Sequence, residues 1–258
     1  MANPPVHVTT TRKSGVVTLT LHGHKSVNLI GRALMDALLA SAAPLRDDPE
    51  LRLIIVTGPP GGSFIGGADI AEMQALTPST ARVFINQLHA VCNLFRTLPV
   101  PSIARIEGLC IGGGMELAAA CDIRVGTANS RYGMPEVQVG LPSVIEAALL
   151  PSLIGWGHTR ELLYRGHIIN AAEAERMGFL QHIAPDGKID DTLAPIIDDI
   201  LRADPGAIRT QKRLLERWLE TDITSGIAAS IEAFSDNFLT DAPNKRLAAF
   251  FEAKKKTI

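Results

Sequence analysis

Five consecutive residues, Leu53-Ile54-Ile55-Val56-Thr57, form a short apolar run with no polar alternation. That is the pattern of a strand covered on both faces, and such strands belong to parallel sheets packed on each side by helices. The rest of the chain repeats the theme. Ser102–Ile106 and residues 123–125 read as further strands, and residues 30–45, ahead of Leu53, and 80–98, ahead of Ser102, carry apolar side chains at helical spacing, Leu34, Leu38, Ala42 and Leu45 in the first and Val83, Leu88, Val91, Leu94 and Phe95 in the second. Residues 6–11 and 16–21 alternate with period two around Lys13-Ser14-Gly15, which predicts a hairpin. Strands alternating with helices predict an α/β fold. After about Asp198 the pattern is helical to the end, with helices expected over 207–221, 225–239 and 243–256, so an α/β core over 1–197 and a helical region over 198–258 are expected.

Composition excludes several classes of function. The 258 residues carry 25 Lys and Arg against 27 Asp and Glu, a net charge of −2, and a nucleic-acid groove or an anionic membrane patch needs concentrated positive charge. The most apolar run, residues 109–121, contains Glu116 and three glycines and falls short of the roughly 20 residues that span a bilayer. Cys92, Cys110 and Cys121 form no CxxC pair, so neither a metal centre nor a disulfide framework is expected, and Cys110 and Cys121 read as small buried hydrophobes. The opening residues lack the apolar core of a secretory signal. A cytoplasmic protein in a reducing compartment is the expectation.

Chemistry concentrates in three places. Ile106-Glu107-Gly108-Leu109-Cys110-Ile111-Gly112-Gly113-Gly114-Met115-Glu116 reads as a strand, a glycine turn over 108–114 and a helix start. The first N–H groups of a helix have no internal partner and lie at the positive end of its dipole, so this turn suits a developing oxyanion, with Glu116 in the first turn beside it. Taken alone the glycines are equally a tight strand-to-helix connection. A second turn, Gly66-Gly67-Ala68-Asp69-Ile70, also leaves a buried strand and precedes a helix-like stretch, with Asp69 either near a ligand or simply a helix cap. Neither turn has the GxxxxGK[ST] pattern of a phosphate loop. The third is Tyr132-Gly133-Met134-Pro135-Glu136, where Pro135 makes a rigid bend that presents Glu136.

Together, GGADI (66–70), GGGMELAAACDIR (112–124) and YGMPEVQVGLP (132–142) resemble the crotonase superfamily of enoyl-CoA hydratases and isomerases, and weaker similarity covers essentially the whole chain. The resemblance implies a spiral of ββα units with a C-terminal helical assembly region, an acyl-CoA thioester as substrate, no resident metal or redox cofactor, and a homotrimer or dimer of trimers. It implies that the backbone N–H groups of Ala68 and Gly113 form an oxyanion hole and that Glu116 and Glu136 are the catalytic pair, Glu116 deprotonating the water and Glu136 protonating carbon, with the labels exchangeable. It also implies substrate-binding roles for Lys25, Val27, Phe64, Gly66, Gly67, Asp69, Ile70, Gly112, Pro135, Gly140, Leu141, Phe250 and Lys254, the stretch 64–70 cradling coenzyme A. Retention of both glutamates favours 2-enoyl-CoA hydration over isomerisation, thioester hydrolysis, dehydration of a functionalised chain or a non-catalytic scaffold. One stretch departs from the family: Ser143-Val144-Ile145-Glu146 replaces a glycine-rich run. Its spacing fits an S-x-x-E capping box, and the alternative is a third carboxylate that reshapes the acyl pocket.

Overall fold

A computed structural model describes residues 5–23 and 27–255. Strands β1 (His7–Lys13) and β2 (Val16–His22) pair as the expected antiparallel hairpin, and Ser14 and Gly15 both take positive φ, as a two-residue turn matched to strand twist requires. The main sheet then runs β1-β2-β3-β4-β6-β9, with β3 (Leu53–Thr57), β4 (Ser102–Ile106), β6 (Ile123–Thr127) and β9 (His182–Ala184) joined in parallel from β2 onward. All five residues of β3 are buried, as its unbroken apolar run demands. A second, smaller sheet joins β5 (Leu109–Ile111), β7 (Arg131–Gly133) and β8 (Ile168–Asn170) in that order. Residues 109–111, expected within a turn, are therefore a strand, and Ile65 bridges to Cys110 beside it.

Helices α1 (Arg32–Ala42) and α3 (Pro78–Thr97) pack on each other and contribute Leu34, Leu38, Leu88, Val91 and Phe95 to the core. Between them lies the short α2 (Ile70–Gln74). Helix α4 (Gly113–Ala120) is buried at every position. A Cβ at Gly114 would lie 2.6 Å from Ile65 Cβ, so only glycine lets this helix sit directly against residue 65. The other end of α4 is held by Arg124, whose buried guanidinium donates to the carbonyls of Cys121 (2.7 Å), Ala118 (3.3 Å) and Phe179 (2.6 Å). A cation serving the last carbonyls of a helix is favourable on hydrogen-bonding and dipole grounds alike. Helices α5 (Leu150–Arg165) and α6 (Ala171–Met177) complete the layer that follows β7.

The chain divides into two compact units, Met1–Ile197 and Asp198–Ile258, and α7 (Ile189–Arg202) runs through the division. In the second unit α8 (Pro205–Glu220) and α9 (Ile223–Asn237) pack together, each opened by an aspartate cap, Asp204 on the Ala207 N–H and Asp222 on the Ser225 N–H, and α10 (Ala242–Lys255) follows. Among the described residues no helix is long and apolar enough to cross a membrane.

Candidate active site

Residues 64–69 are laid between two neighbouring stretches of chain by backbone hydrogen bonds. Phe64 N–H donates to Glu107 O, Ile65 N–H to Leu109 O, and Gly66 N–H to Asn28 O, each at 2.8 Å. Asn28 secures the arrangement with a buried side-chain amide, which donates to the carbonyls of Leu21, Ser63 and Phe64 and accepts from Gly23 N–H. Further on, Gly67 O accepts from Ile30 N–H and Asp69 N–H donates to Ile30 O. Extended residues alternate their polar groups, so the N–H of Ala68 points away from Ile30. Gly112, the N-cap, has φ +54, and a Cβ there would lie 3.9 Å from Gly67 Cα, which puts the two turns in contact. Gly113 follows as the first helical residue, where an N–H has no intrahelical acceptor. Ala68 and Gly113 line the same cavity.

That cavity has a volume of about 690 Å³, and its walls are chiefly apolar, including Met73, Leu76, Phe84, Ile85, Leu88 and Val144. Size and lining are those of a small-molecule site with few polar groups. Glu116 and Glu136 supply two of them. Glu116 projects from the first turn of α4, is 4% exposed, and its Oε1 has no hydrogen-bond partner. Burial first, then the proximity of Glu136 and Glu146, push its carboxyl from 4.5 up to about 8, against the opposing pull of the Ala147 and Val144 N–H groups. Glu136 opens a 3₁₀ turn, Glu136–Val139, behind Pro135, and the left-handed Gly140 closes it so that Leu141 also reaches the cavity. Glu136 Oε1 lies against Gly112, where a Cβ would approach it to 2.5 Å, and Glu136 Oε2 accepts a 2.7 Å hydrogen bond from Ser143 Oγ.

The capping box expected at Ser143 and Glu146 does not form. Val144 caps the 3₁₀ turn Ile145–Leu149 without any side-chain bond, Ser143 is engaged by Glu136, and Glu146 Oε1 lies 2.8 Å from His89 Nδ1. Ile145 takes φ +39, a left-handed conformation that costs a β-branched residue on the order of 1–3 kcal/mol and is held by its surroundings. Glu146 is therefore a second buried carboxylate close to Glu116, and burial raises it also. The spacing of Ser143 and Glu136 carried no signal of their contact, which depends on the Gly140 turn.

The remaining site expectations divide. Phe64 has its side chain fully buried in the core. Asp69 caps α2 by accepting from the Ala71 and Glu72 N–H groups, and with Val27 it lines a separate depression of about 400 Å³. Gly66, Gly67, Gly112 and Pro135 shape the turns around the cavity without lining it, and Ile70 is exposed. Lys25 lies outside the described residues. Phe250 and Lys254 belong to the second unit, where the Lys254 ammonium sits 4.9 Å over the Phe250 ring.

The Glu116 proton predicts a pH-dependent stability. The folded chain keeps it up to about pH 8, whereas an unfolded chain releases it near pH 4.5, so the group's stabilising contribution is complete below pH 4.5 and is lost as pH rises through about 8. At ~1.4 kcal/mol per unit, Glu116→Gln is expected to gain roughly 3–5 kcal/mol on the parent protein between those limits. Denaturant unfolding of both proteins across pH checks this, and parallel curves would refute it.

These features define a class: an α/β chain in which Ala68, at one glycine turn, Gly113, at the start of a helix, and two acids line one apolar cavity. The sequence matches the family profile described as enoyl-CoA hydratase/isomerase over residues 11–257, and the chain belongs to that family. It is 31% identical to crotonyl-CoA hydratase of Syntrophomonas wolfei over 95% of this chain and 94% of that protein. It is 29% identical to the mitochondrial methylglutaconyl-CoA hydratase of Homo sapiens, over 93% and 72% of the respective chains. The crystal structure of the enoyl-CoA hydratase of Mycobacterium smegmatis superposes with a TM-score of 0.92 at 26% identity, covering 97% of each chain.

Proposed function

We propose that this protein is a 2-enoyl-CoA hydratase that adds water across the C2=C3 bond of a thioester. The observation that carries the reading is the convergence of Ala68, Gly113, Glu116 and Glu136 on one apolar cavity. Water addition to a conjugated thioester builds negative charge on the carbonyl oxygen, and the Ala68 and Gly113 N–H groups are the donors available to hold it. One carboxyl accepts a proton from water while the other delivers one to C2. Our sequence reading gave the water to Glu116. The surroundings support the exchanged labels, because Glu116 holds its proton up to about pH 8 while Glu136 accepts a hydroxyl donor. Coenzyme A enters as part of the substrate, and no resident cofactor is required by these steps.

A second reading, hydration of a carboxylated acyl chain, is favoured by Arg82, a cation on the cavity wall, and by the relative named for methylglutaconyl-CoA. For assembly, a homotrimer or a dimer of trimers is supported by the exposed stripe Ile223, Ile227, Ile231, Phe234 and Phe238 along α9 and just past its end. The cytoplasmic reading rests on three buried cysteines that form no disulfide.

Crotonyl-CoA mixed with the purified protein tests the function. Hydration is expected to remove the conjugated enoyl absorbance without liberating thiol. Thiol release would replace hydration by hydrolysis, and an unchanged spectrum with both crotonyl-CoA and a carboxylated enoyl-CoA would end the hydratase reading.

A further inference from the structure

Each carboxyl of the pair meets one residue of the same four-residue segment. Ser143 Oγ donates to Glu136 Oε2 at 2.7 Å while Glu136 Oε1 lies against Gly112, so this carboxyl is gripped from both sides. Three residues on, Glu146 is 3% exposed, with Oε1 beside His89 Nδ1 and Oε2 buried without a hydrogen-bond partner. The 3₁₀ turn that carries it packs on α4, the helix bearing Glu116, and the left-handed Ile145 separates the two devices. The titratable and charged groups around them are few. Glu116 faces Glu136, Glu146 and the Cys92 thiol; Glu146 faces His89, Cys92 and Arg96 from α3; Glu136 shares its cavity wall with Arg82.

A hydrogen bond donated to a carboxylate favours its charged form, and a buried like charge nearby disfavours the charged form of its neighbour. Two acids whose environments pull them apart in this way take opposite parts in proton transfer. We propose that Ser143 and Glu146 are positioning residues that assign those parts, Ser143 holding the Glu136 carboxyl as the acceptor of the water proton and Glu146, anchored by His89, keeping Glu116 the proton carrier. The consequence for turnover rests on the hydratase reading. Glu136 takes one proton from water, the hydroxide oxygen bonds to C3, and the Glu116 proton goes to C2. Exchange with solvent then moves one proton from Glu136 back to Glu116, so a single water is consumed and both acids are restored.

The test is the pH profile of kcat/KM on an enoyl-CoA thioester. Ser143→Ala is expected to move the acid-side limb to higher pH, with activity falling about tenfold per unit on that limb, and Ser143→Thr to restore it. Glu146→Gln is expected to move the alkaline limb, which Glu116 sets, to lower pH. His89→Asn, on the exposed side of that pair, moves it the same way without altering a buried site. Lower plateaus with unmoved limbs would mean ordinary structural roles and overturn the proposal. Infrared titration of the carboxyl groups in the substrate-free protein, with the Glu116 signal identified by its loss in Glu116→Gln, reads the same assignment without turnover. A Glu116 signal that titrates lower in Glu146→Gln in a protein inactive on enoyl-CoA supports the proposal and counts against the hydratase reading. An unmoved signal in an active enzyme does the reverse.

Discussion

Glu116→Gln and Glu136→Gln are each expected to lower kcat for enoyl-CoA hydration by roughly 10²–10⁴-fold, the range for a positioned acid or base. Glutamine keeps the shape of the side chain but neither accepts a proton from water nor delivers one to carbon. KM is expected to change little, because the apolar walls contributed by Met73, Phe84, Ile85 and Leu88 are untouched. The double variant should lose little beyond the worse single one, since the two acids act on one proton inventory and their effects do not add. Steady-state kinetics of the three variants settles the matter: rates near those of the parent for both single variants would remove the pair from the chemistry.

The second large effect concerns a donor that carries no side-chain chemistry. Ala68→Pro deletes one N–H that is not among the hydrogen bonds placing the turn, those of Gly67 O and Asp69 N–H to Ile30. Loss of a single oxyanion donor is expected to cost about 10²–10³-fold in kcat. Ala68→Gly, which retains the amide, serves as the control and should stay close to the parent. Thermal unfolding measured alongside separates a lost donor from a lost fold. Equal kcat values for the proline and glycine variants would show that this amide does not face the reacting oxygen.

Much of the fold was legible because burial leaves a periodic trace. The unbroken run of β3 and the helical spacing of α1 and α3 follow from which faces meet the core, and both sit where the pattern puts them. Strands β5, β7, β8 and β9 left no such trace. Each has three residues, too few for any period to emerge, and they form because neighbouring chain offers hydrogen-bond partners. Ser143 and Glu146 show the converse, a correct local pattern with a different outcome. Their spacing suits a cap, yet the Gly140 turn delivers Glu136 to Ser143 and α3 delivers His89 to Glu146, and charge-assisted contacts of that kind outweigh an isolated cap. Phe64, expected within a ligand cradle, has its side chain in the core, a placement that its neighbours in sequence do not encode.

The sequence by itself determined the α/β alternation, the glycines that free two backbone amides, and the pair of glutamates, because these depend on residue type and on spacing along the chain. Tertiary structure alone decided that the two turns touch, that one cavity receives both acids, and that burial, with Glu136 and Glu146 close by, holds a proton on Glu116 to about pH 8. Desolvation and charge repulsion depend on distance through space, and no separation along a chain encodes that distance.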